Sequence, residues 1–160
     1  MICPTLEDFV AQLPPNRAIA GLDFGDKTIG IAISDLRRRV ATPTETYRGV
    51  KFTEDATRHL ALLTTREVHG IVLGLPLNMD GSTGPRVQAT QAFARNLTRM
   101  TALPIAFWDE RLSTVAAERA LLEADTSRKR RKEVIDAVAA GYILQGALDR
   151  MGHMQRGVAP

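Results

Sequence analysis

Short apolar runs bounded by turn residues alternate along the chain with longer segments in which apolar residues recur every three or four positions. The short runs predict strands, because they combine β-branched residues with flanking glycine, proline or polar positions. The run after Gly70 is apolar throughout, which is typical of a central strand covered on both faces. The predicted strands are 18–23, 28–34, a weaker 40–47, 71–75 and 105–110.

The segments with helical spacing predict four helices. Pro85 suits the first turn of the second helix, and Ser113 is a candidate cap for the third. The predicted helices are 53–66, 85–100, 114–124 and 132–150. The resulting order is β-β-β-α-β-α-β-α-α. Its first two strands form an antiparallel hairpin, and the later strands join by right-handed parallel crossovers in a three-layer α/β domain.

Length and composition favour one globular domain. The chain has 160 residues, of which 44% are apolar and 24% charged. The first residues lack a signal-peptide pattern, and no run approaches the ~20 apolar residues of a membrane span, so we expect a cytoplasmic protein. Cys3 is the single cysteine and cannot form an internal disulfide. We expect it to be a bystander thiol near a loose terminus.

The basic residues are unevenly distributed, although the net charge is only +3. One dense run consists of Arg37, Arg38 and Arg39, and a second covers 128–132. Such runs either form solvated faces or neutralise the phosphates of nucleic acid. Charge alone does not decide between the two.

Three acidic residues occupy positions that are usually apolar. Asp23 lies in an apolar strand, Glu110 ends another strand, and Asp136 begins the apolar stripe of the last helix. Burying a carboxylate is costly unless it is paired or binds a cation. Because parallel strands end at one edge of the sheet, we expect Asp23 and Glu110 to lie at a common edge. The alternative for Asp136 is a first-turn acid that the helix dipole favours.

Other acidic and histidine residues do not fit such a site. Asp35 lies at the far end of the hairpin, on the order of 20 Å from Asp23, and is expected to be a strand-end charge near Arg17. The histidines lie on different predicted elements without metal-ligand spacing, and we expect them to be structural or exposed. They are His59, His69 and His153.

A carboxylate cluster without histidine favours Mg²⁺ or a similar ion, since Mg²⁺ prefers oxygen ligands and often contacts substrate phosphates. A pair of such ions can assist phosphodiester hydrolysis. Lys132 lies one turn before Asp136 and could meet a phosphate there. The segment 82–85 opens a helix at the same edge, where free amides favour anions. Beside Glu110, Asp109 is expected either to orient Arg111 or to support the site from behind its ligands. Trp108 alternates onto the face of Glu110, where it is either a core aromatic residue or a ring on which a base stacks.

Four ordered motifs carry a family resemblance: GLDFGDKTIGIAISD (21–35), GLPLNMDGSTGPR (74–86), DERLST (109–114) and IDAVAAGYILQGAL (135–148). In this order and spacing they resemble the YqgF family, also called RuvX. That group comprises Holliday-junction-resolvase-like proteins regarded as nucleases that mature the 5′ end of pre-16S ribosomal RNA. The resemblance covers residues 17–150. It departs at Thr28, where many members carry arginine, which would remove a basic contact near Asp23.

The resemblance implies a ribonuclease H-like fold with a five-stranded mixed sheet, for which we expect the strand order 3-2-1-4-5. It implies that Asp23, Glu110 and Asp136 are the catalytic and metal-binding residues, with Mg²⁺ or Mn²⁺ as cofactor. Residues 1–16 would be an N-terminal extension and 151–160 a flexible tail. The candidate nucleic-acid contacts are Lys27, Asn78, Ser82, Arg86, Arg111, Arg128, Arg131 and Lys132.

Several alternatives stay open at this point. In the expected order, Glu110 lies two strands from Asp23, about 10 Å at the backbone, so one or two metal ions are compatible with the site. The substrate could be precursor rRNA or branched DNA, ribosomal particles are candidate partners, and the protein could be a monomer or a weak homodimer. A noncatalytic assembly factor is the main rival. A phosphotransferase is disfavoured because one domain cannot enclose a nucleotide.

Overall fold

The computed structural model describes residues 1–25, 27–49, 52–112 and 128–155, with the backbone alone described over 128–134. The predicted helix 114–124 and its cap Ser113 lie outside these residues. A short 3-10 helix covers Glu110–Leu112. The strands are β1 (Ala18–Phe24), β2 (Thr28–Ser34), β3 (Ala41–Arg48), β4 (Val68–Leu75) and β5 (Ile105–Asp109). The helices are α1 (Leu6–Ala11), α2 (Phe52–Thr65), α3 (Pro85–Leu97) and α4 (Arg128–Gln155).

The five strands form one mixed sheet in the order β3-β2-β1-β4-β5, which confirms the predicted order. The hairpin β1–β2 and the pair β2–β3 are antiparallel, whereas β1–β4 and β4–β5 are parallel. Strand β4 begins three residues before the predicted start, because Val68 already pairs with Ala18 across a register irregularity. The carboxyl ends of β1, β4 and β5 therefore share one edge of the sheet.

Helices cover both faces of the sheet. Helices α1 and α4 pack on one face and α2 and α3 on the other, and each side has its own buried cluster. The predicted apolar stripe of α4 is buried throughout. Each of its larger aliphatic side chains contributes about 1.5–3 kcal/mol when fully buried. The buried residues of this stripe are Ala139, Ala140, Ile143, Leu144, Ala147 and Leu148.

The N-terminal segment is part of the core, so the expectation of a loose terminus around Cys3 is wrong. Ile2 forms a parallel bridge with Ile105, and Cys3 is 4% exposed. Helix α1 begins after Thr5, whose side-chain oxygen accepts a hydrogen bond from the amide of Asp8. The apolar spacing of Leu6, Phe9, Val10 and Leu13 was a helical signal that the sequence analysis missed.

The C-terminal helix is longer than predicted at both ends. It continues through Gln155, and Met151 is 2% exposed because it extends the buried stripe by one more turn. The expected tail is therefore wrong for residues 151–155, while 156–160 lie outside the described part. Among the described helices, none is both long enough and apolar enough to cross a membrane.

Candidate active site

Asp23 lies near the end of β1 and is 5% exposed. Its partner across the antiparallel hairpin is Gly30. On the other side of β1, Leu22 pairs with Leu73, so Gly74 follows beside Asp23. Directly paired residues project to the same face of a sheet, so Asp23 shares a face with two glycines. That face is covered by α4.

Gly30 allows the last helix to approach the sheet closely. A Cβ atom at this position would overlap the backbone carbonyl oxygen of Asp136. Gly21 of β1 plays a similar part, because an added Cβ there would lie 2.6 Å from the Cβ of Leu144. The helix backbone at Asp136 therefore lies directly over the strand next to Asp23.

The carboxyl group of Glu110 lies over Gly74. A Cβ added at Gly74 would lie 3.4 Å from the carboxyl carbon of Glu110, which is 9% exposed. The side chain of Glu110 thus extends from the end of β5 over β4, the strand adjacent to β1. Two strand spacings of about 4.8 Å each separate the backbone of Glu110 from that of Asp23. The side chain of Glu110 spans one of them.

Asp136 is half-buried, and its carboxylate points to the hairpin. The hydroxyl of Thr28 donates a hydrogen bond to its Oδ2 atom. Thr28, the position at which the sequence resemblance is expected to depart, thus contacts one of the predicted site residues directly. Across the described side chains, no three histidine, cysteine or acidic groups lie close enough to hold a metal ion together. The fold thus places the three acids at one edge without gathering their carboxylates into one cluster.

The loop after β4 is held by hydrogen bonds among its own residues. Asp80 accepts from the amide of Ser82 at 2.8 Å and from its hydroxyl at 2.6 Å, and these bonds lower the pKa of Asp80. The amide nitrogen of Asn78 donates to the same hydroxyl at 3.0 Å. Gly81 completes the turn with a φ of 84°. Asn78 and Ser82 are exposed and adjacent, as a phosphate contact would require.

Arg111 connects the end of β5 to this loop. Its guanidinium forms a forked ion pair with Asp109, with a shortest distance of 2.7 Å, and donates to the carbonyl of Met79 at 3.4 Å. The hydrogen bond from Arg111 lowers the pKa of Asp109. This confirms that Asp109 orients Arg111, and it gives Arg111 a structural contact as well as its predicted role.

The other predicted nucleic-acid contacts divide into two groups. Lys27, in the hairpin turn, and Arg86, in the first turn of α3, are exposed at the same edge. The side chains of Arg128, Arg131 and Lys132 lie outside the described residues, although the backbone there begins α4.

The remaining polar and aromatic candidates have structural surroundings. Trp108 is 7% exposed, and an added Cβ at Gly146 would lie 2.9 Å from its ring, so it is a core aromatic. Asp35 accepts hydrogen bonds from the amides of Arg39 and Val40, and not from Arg17 as suggested by the hairpin register. The histidines are structural or exposed, as expected: His59 is buried, His69 is half-buried and His153 is exposed.

The first basic run also has a structural role. Arg38 donates hydrogen bonds to the carbonyls of Pro14 and Arg17, at the end of the hairpin opposite Asp23. Gly30, Gly74 and Thr28 were not among the predicted site residues. Glycine inside an apolar strand often marks a close backbone approach, so the two glycines carried a readable signal.

Comparison with known proteins agrees with this fold. The chain is 68% identical over 154 residues to a protein of Ruegeria pomeroyi named "Putative pre-16S rRNA nuclease", covering 96% of this chain and all of the relative. A Paracoccus denitrificans protein of the same name is 65% identical over 98% of this chain and 99% of its own length. Both alignments include α1 as well as the sheet.

Among solved structures, Thermus thermophilus RuvC in complex with a Holliday junction substrate has a TM-score of 0.54 and 13% identity. The alignment covers 85% of this chain and 96% of that one, and it shows a shared ribonuclease H-like fold. The family model described as "RuvX: Holliday junction resolvase" matches residues 17–150. This match and the high identities show that the chain belongs to the RuvX family of nucleases.

Proposed function

We propose that this protein is a metal-dependent endonuclease that cleaves precursor rRNA in the cytoplasm during 5′-end maturation of pre-16S rRNA. The observation that carries the proposal is the relation between Asp23 and Glu110. Both carboxylates are buried at the same sheet edge, and Glu110 extends over Gly74 towards β1. The names of the two similar proteins, which refer to pre-16S rRNA, support the choice of substrate.

The donor set fits a hard divalent cation. Mg²⁺ and Mn²⁺ accept carboxylate oxygens, and Mg²⁺ is often bound through one or two carboxylates plus substrate phosphates. Asp23 and Glu110 would hold the ion, which would supply charge stabilisation for the attacking and leaving oxygens. Asp136 is the third proposed ligand, and the hydroxyl of Thr28 donates a hydrogen bond to one of its two carboxylate oxygens.

The surrounding residues would bind the strand. Lys27, Arg86 and the Asn78–Ser82 pair lie at the same edge and would contact phosphates on either side of the scissile bond. Arg111 would act mainly by holding the loop after β4, since its guanidinium already forms a forked ion pair with Asp109. Ribosomal particles are proposed as the setting in which this edge meets its substrate.

Two other functions each have an observation in their favour. The engagement of Asp136 by Thr28 favours a noncatalytic RNA-binding assembly factor, because three carboxylates are not gathered in the described structure. The description of the matching family model favours a Holliday junction resolvase.

The deciding experiment incubates the protein with a precursor 16S rRNA 5′ fragment and, separately, with a four-way DNA junction, in Mn²⁺ or EDTA. The nuclease proposal expects cleavage of the RNA that is lost in EDTA and in Asp23→Asn and Glu110→Gln. The matched control Glu45→Gln changes an exposed glutamate of β3 and should cleave normally. RNA binding without cleavage in any condition would support the assembly factor, and cleavage of the junction alone would support the resolvase.

A further inference from the structure

A cavity of about 400 Å³ opens at the same edge of the sheet as Asp23, but on the opposite face. It lies between the β1–β2 hairpin, the start of α2 and the side of α3. Its size is within the range of about 300–1,000 Å³ that is usual for small-ligand sites. Its lining includes none of the three acids, Asp23, Glu110 and Asp136, and no residue of the loop after β4.

Small residues keep this cavity open. Helix α3 presents Ala89, Ala92 and Asn96 to it, at spacings of three and four residues along one helix face. On the hairpin side the wall is formed in part by Gly25 and Gly49. Longer side chains on α3 would fill the space, so the volume depends on this run of small residues.

An aromatic cluster lies at one side of the cavity. Phe24 stacks on Phe93 with ring centroids 4.6 Å apart, and Phe52 meets Phe93 edge-on at 5.6 Å. Phe93 is buried, whereas Phe24 and Phe52 are half-buried and line the cavity. Partly exposed aromatic rings are the surfaces on which unpaired bases stack in proteins that bind single strands.

The hairpin turn lies between this cavity and the sheet edge that carries Asp23. Phe24 directly follows Asp23 and projects to the other face of β1, as strand alternation requires. Thr28 lines the cavity, and its hydroxyl donates a hydrogen bond to Asp136 on the α4 side. When a phosphate of a nucleic-acid strand lies at Asp23, a neighbouring base therefore has to cross only the short hairpin turn to enter the cavity.

The charges in the cavity favour a base over a phosphate. Asp55 is one of its lining residues and is 6% exposed, and Arg58 donates to the Oδ1 atom of its carboxylate at 2.8 Å. A buried carboxylate repels phosphate but can accept hydrogen bonds from the N–H groups of a base. Lys27 is exposed and also lines the cavity, so its ammonium can contact the phosphate of the same nucleotide.

We propose that this cavity binds one unpaired nucleobase of the strand that the protein cleaves, stacked against Phe24 and Phe52. The identity of the strand rests on the proposed function, whereas the presence of a base site rests on the cavity itself. The site would fix the position of the scissile phosphate by anchoring a neighbouring nucleotide. It would also require a locally single-stranded substrate, because a paired base cannot enter.

The test measures the dissociation constant of a short fluorescent single-stranded RNA in EDTA, where cleavage is prevented. Each nucleotide in turn is replaced by an abasic residue. The wild-type protein should lose about tenfold or more in affinity at one abasic position, the scale of a single base–aromatic stack. Ala92→Phe fills the cavity and should lose a similar factor on the intact RNA, with no further loss at that position.

Ala61→Phe is the matched control, since Ala61 is an exposed alanine of α2 outside the cavity. It should bind as the wild type does. Equal affinity at every abasic position, or no binding by the wild-type protein, overturns the proposal, and the abasic series decides it even where Ala92→Phe does not fold. If no abasic position weakens binding but the RNA is still cleaved, the base-site proposal alone is wrong. If one abasic position weakens binding but no RNA is cleaved, the nuclease proposal alone is wrong.

Discussion

Gly30 lies against the backbone carbonyl of Asp136, with no room for a side chain between strand and helix. Because Gly30 is also the cross-strand partner of Asp23, this contact places Asp136 one strand away from Asp23. On the other side of β1, an added Cβ at Gly74 would lie 2.4 Å from Cδ1 of Ile143 in α4, and the carboxyl carbon of Glu110 lies over the same glycine at contact distance. The two glycines therefore let α4 approach the sheet closely on both sides of Asp23.

Gly30→Ala should destabilise the protein by about 3 kcal/mol or more, because the added methyl group overlaps backbone atoms that cannot move independently of α4. Urea unfolding measures this loss. Gly84→Ala is the matched control: its Cβ would come within 3.7 Å of the Asn78 amide nitrogen and no closer to other atoms, so we expect a loss below about 1 kcal/mol. Equal losses in the two variants would contradict the role of the Gly30 contact.

Glu110→Asp keeps the charge but shortens the side chain by one methylene, so the carboxylate no longer extends as far over Gly74. A displacement of about 1 Å can cost 100-fold in rate, and we expect a loss of about that size in RNA cleavage. Glu45→Asp makes the same change at an exposed position of β3 and should cleave normally. A Glu110→Asp protein with wild-type activity would show that the reach of this side chain is unimportant.

Thr28→Val removes the hydroxyl that donates to Asp136 and preserves the shape of the side chain. If Asp136 is a metal ligand, this bond competes with the ion, and a hydrogen bond to a charged group is worth about 1.5–3 kcal/mol. Mn²⁺ affinity, measured by calorimetry, should therefore tighten by about tenfold. The double variant Thr28→Val/Asp136→Asn should show no such gain. Unchanged affinity in the single variant would argue against Asp136 as a ligand.

His59 should make stability depend on pH. The ring is 2% exposed, and burial lowers its pKa from 6.5 to about 4. Asp55 and Arg58 act on it from the same helix, and the Tyr47 ring packs edge-on from β3. Because the folded state disfavours the protonated ring, its contribution is fully present above pH 6.5 and is lost as pH falls towards about 4.

The expected loss over this range is on the order of 2–3 kcal/mol. His59→Phe should flatten the curve of unfolding free energy against pH by that amount, as measured by urea unfolding at a series of pH values. Leu62→Phe, at a half-buried position of the same helix without a titratable group, should keep the wild-type slope. A wild-type slope in His59→Phe would assign the pH dependence to other groups.

Much of the fold could be read from local patterns. The alternation of short apolar runs with helical spacing was sufficient for the five strands and the buried stripe of α4, because burial on one face imposes a period on the sequence. The order of the strands in the sheet was expected from the family resemblance. Helix α1 was missed although its spacing was present, since it covers only six residues. The end of α4 was misplaced because the exposed Asp149 and Arg150 precede Met151, which is itself buried.

The sequence by itself determined which acids are candidates, since Asp23, Glu110 and Asp136 interrupt apolar patterns in which a carboxylate is costly. Tertiary structure alone decided how they are related: Glu110 reaches over Gly74, and Asp136 is held by Thr28. The physical reason is that periodicity reports which face a residue occupies, but not how closely two elements approach. That distance depends on glycines far apart in the chain, and the cavity beside Phe24 likewise exists only where hairpin and helix meet.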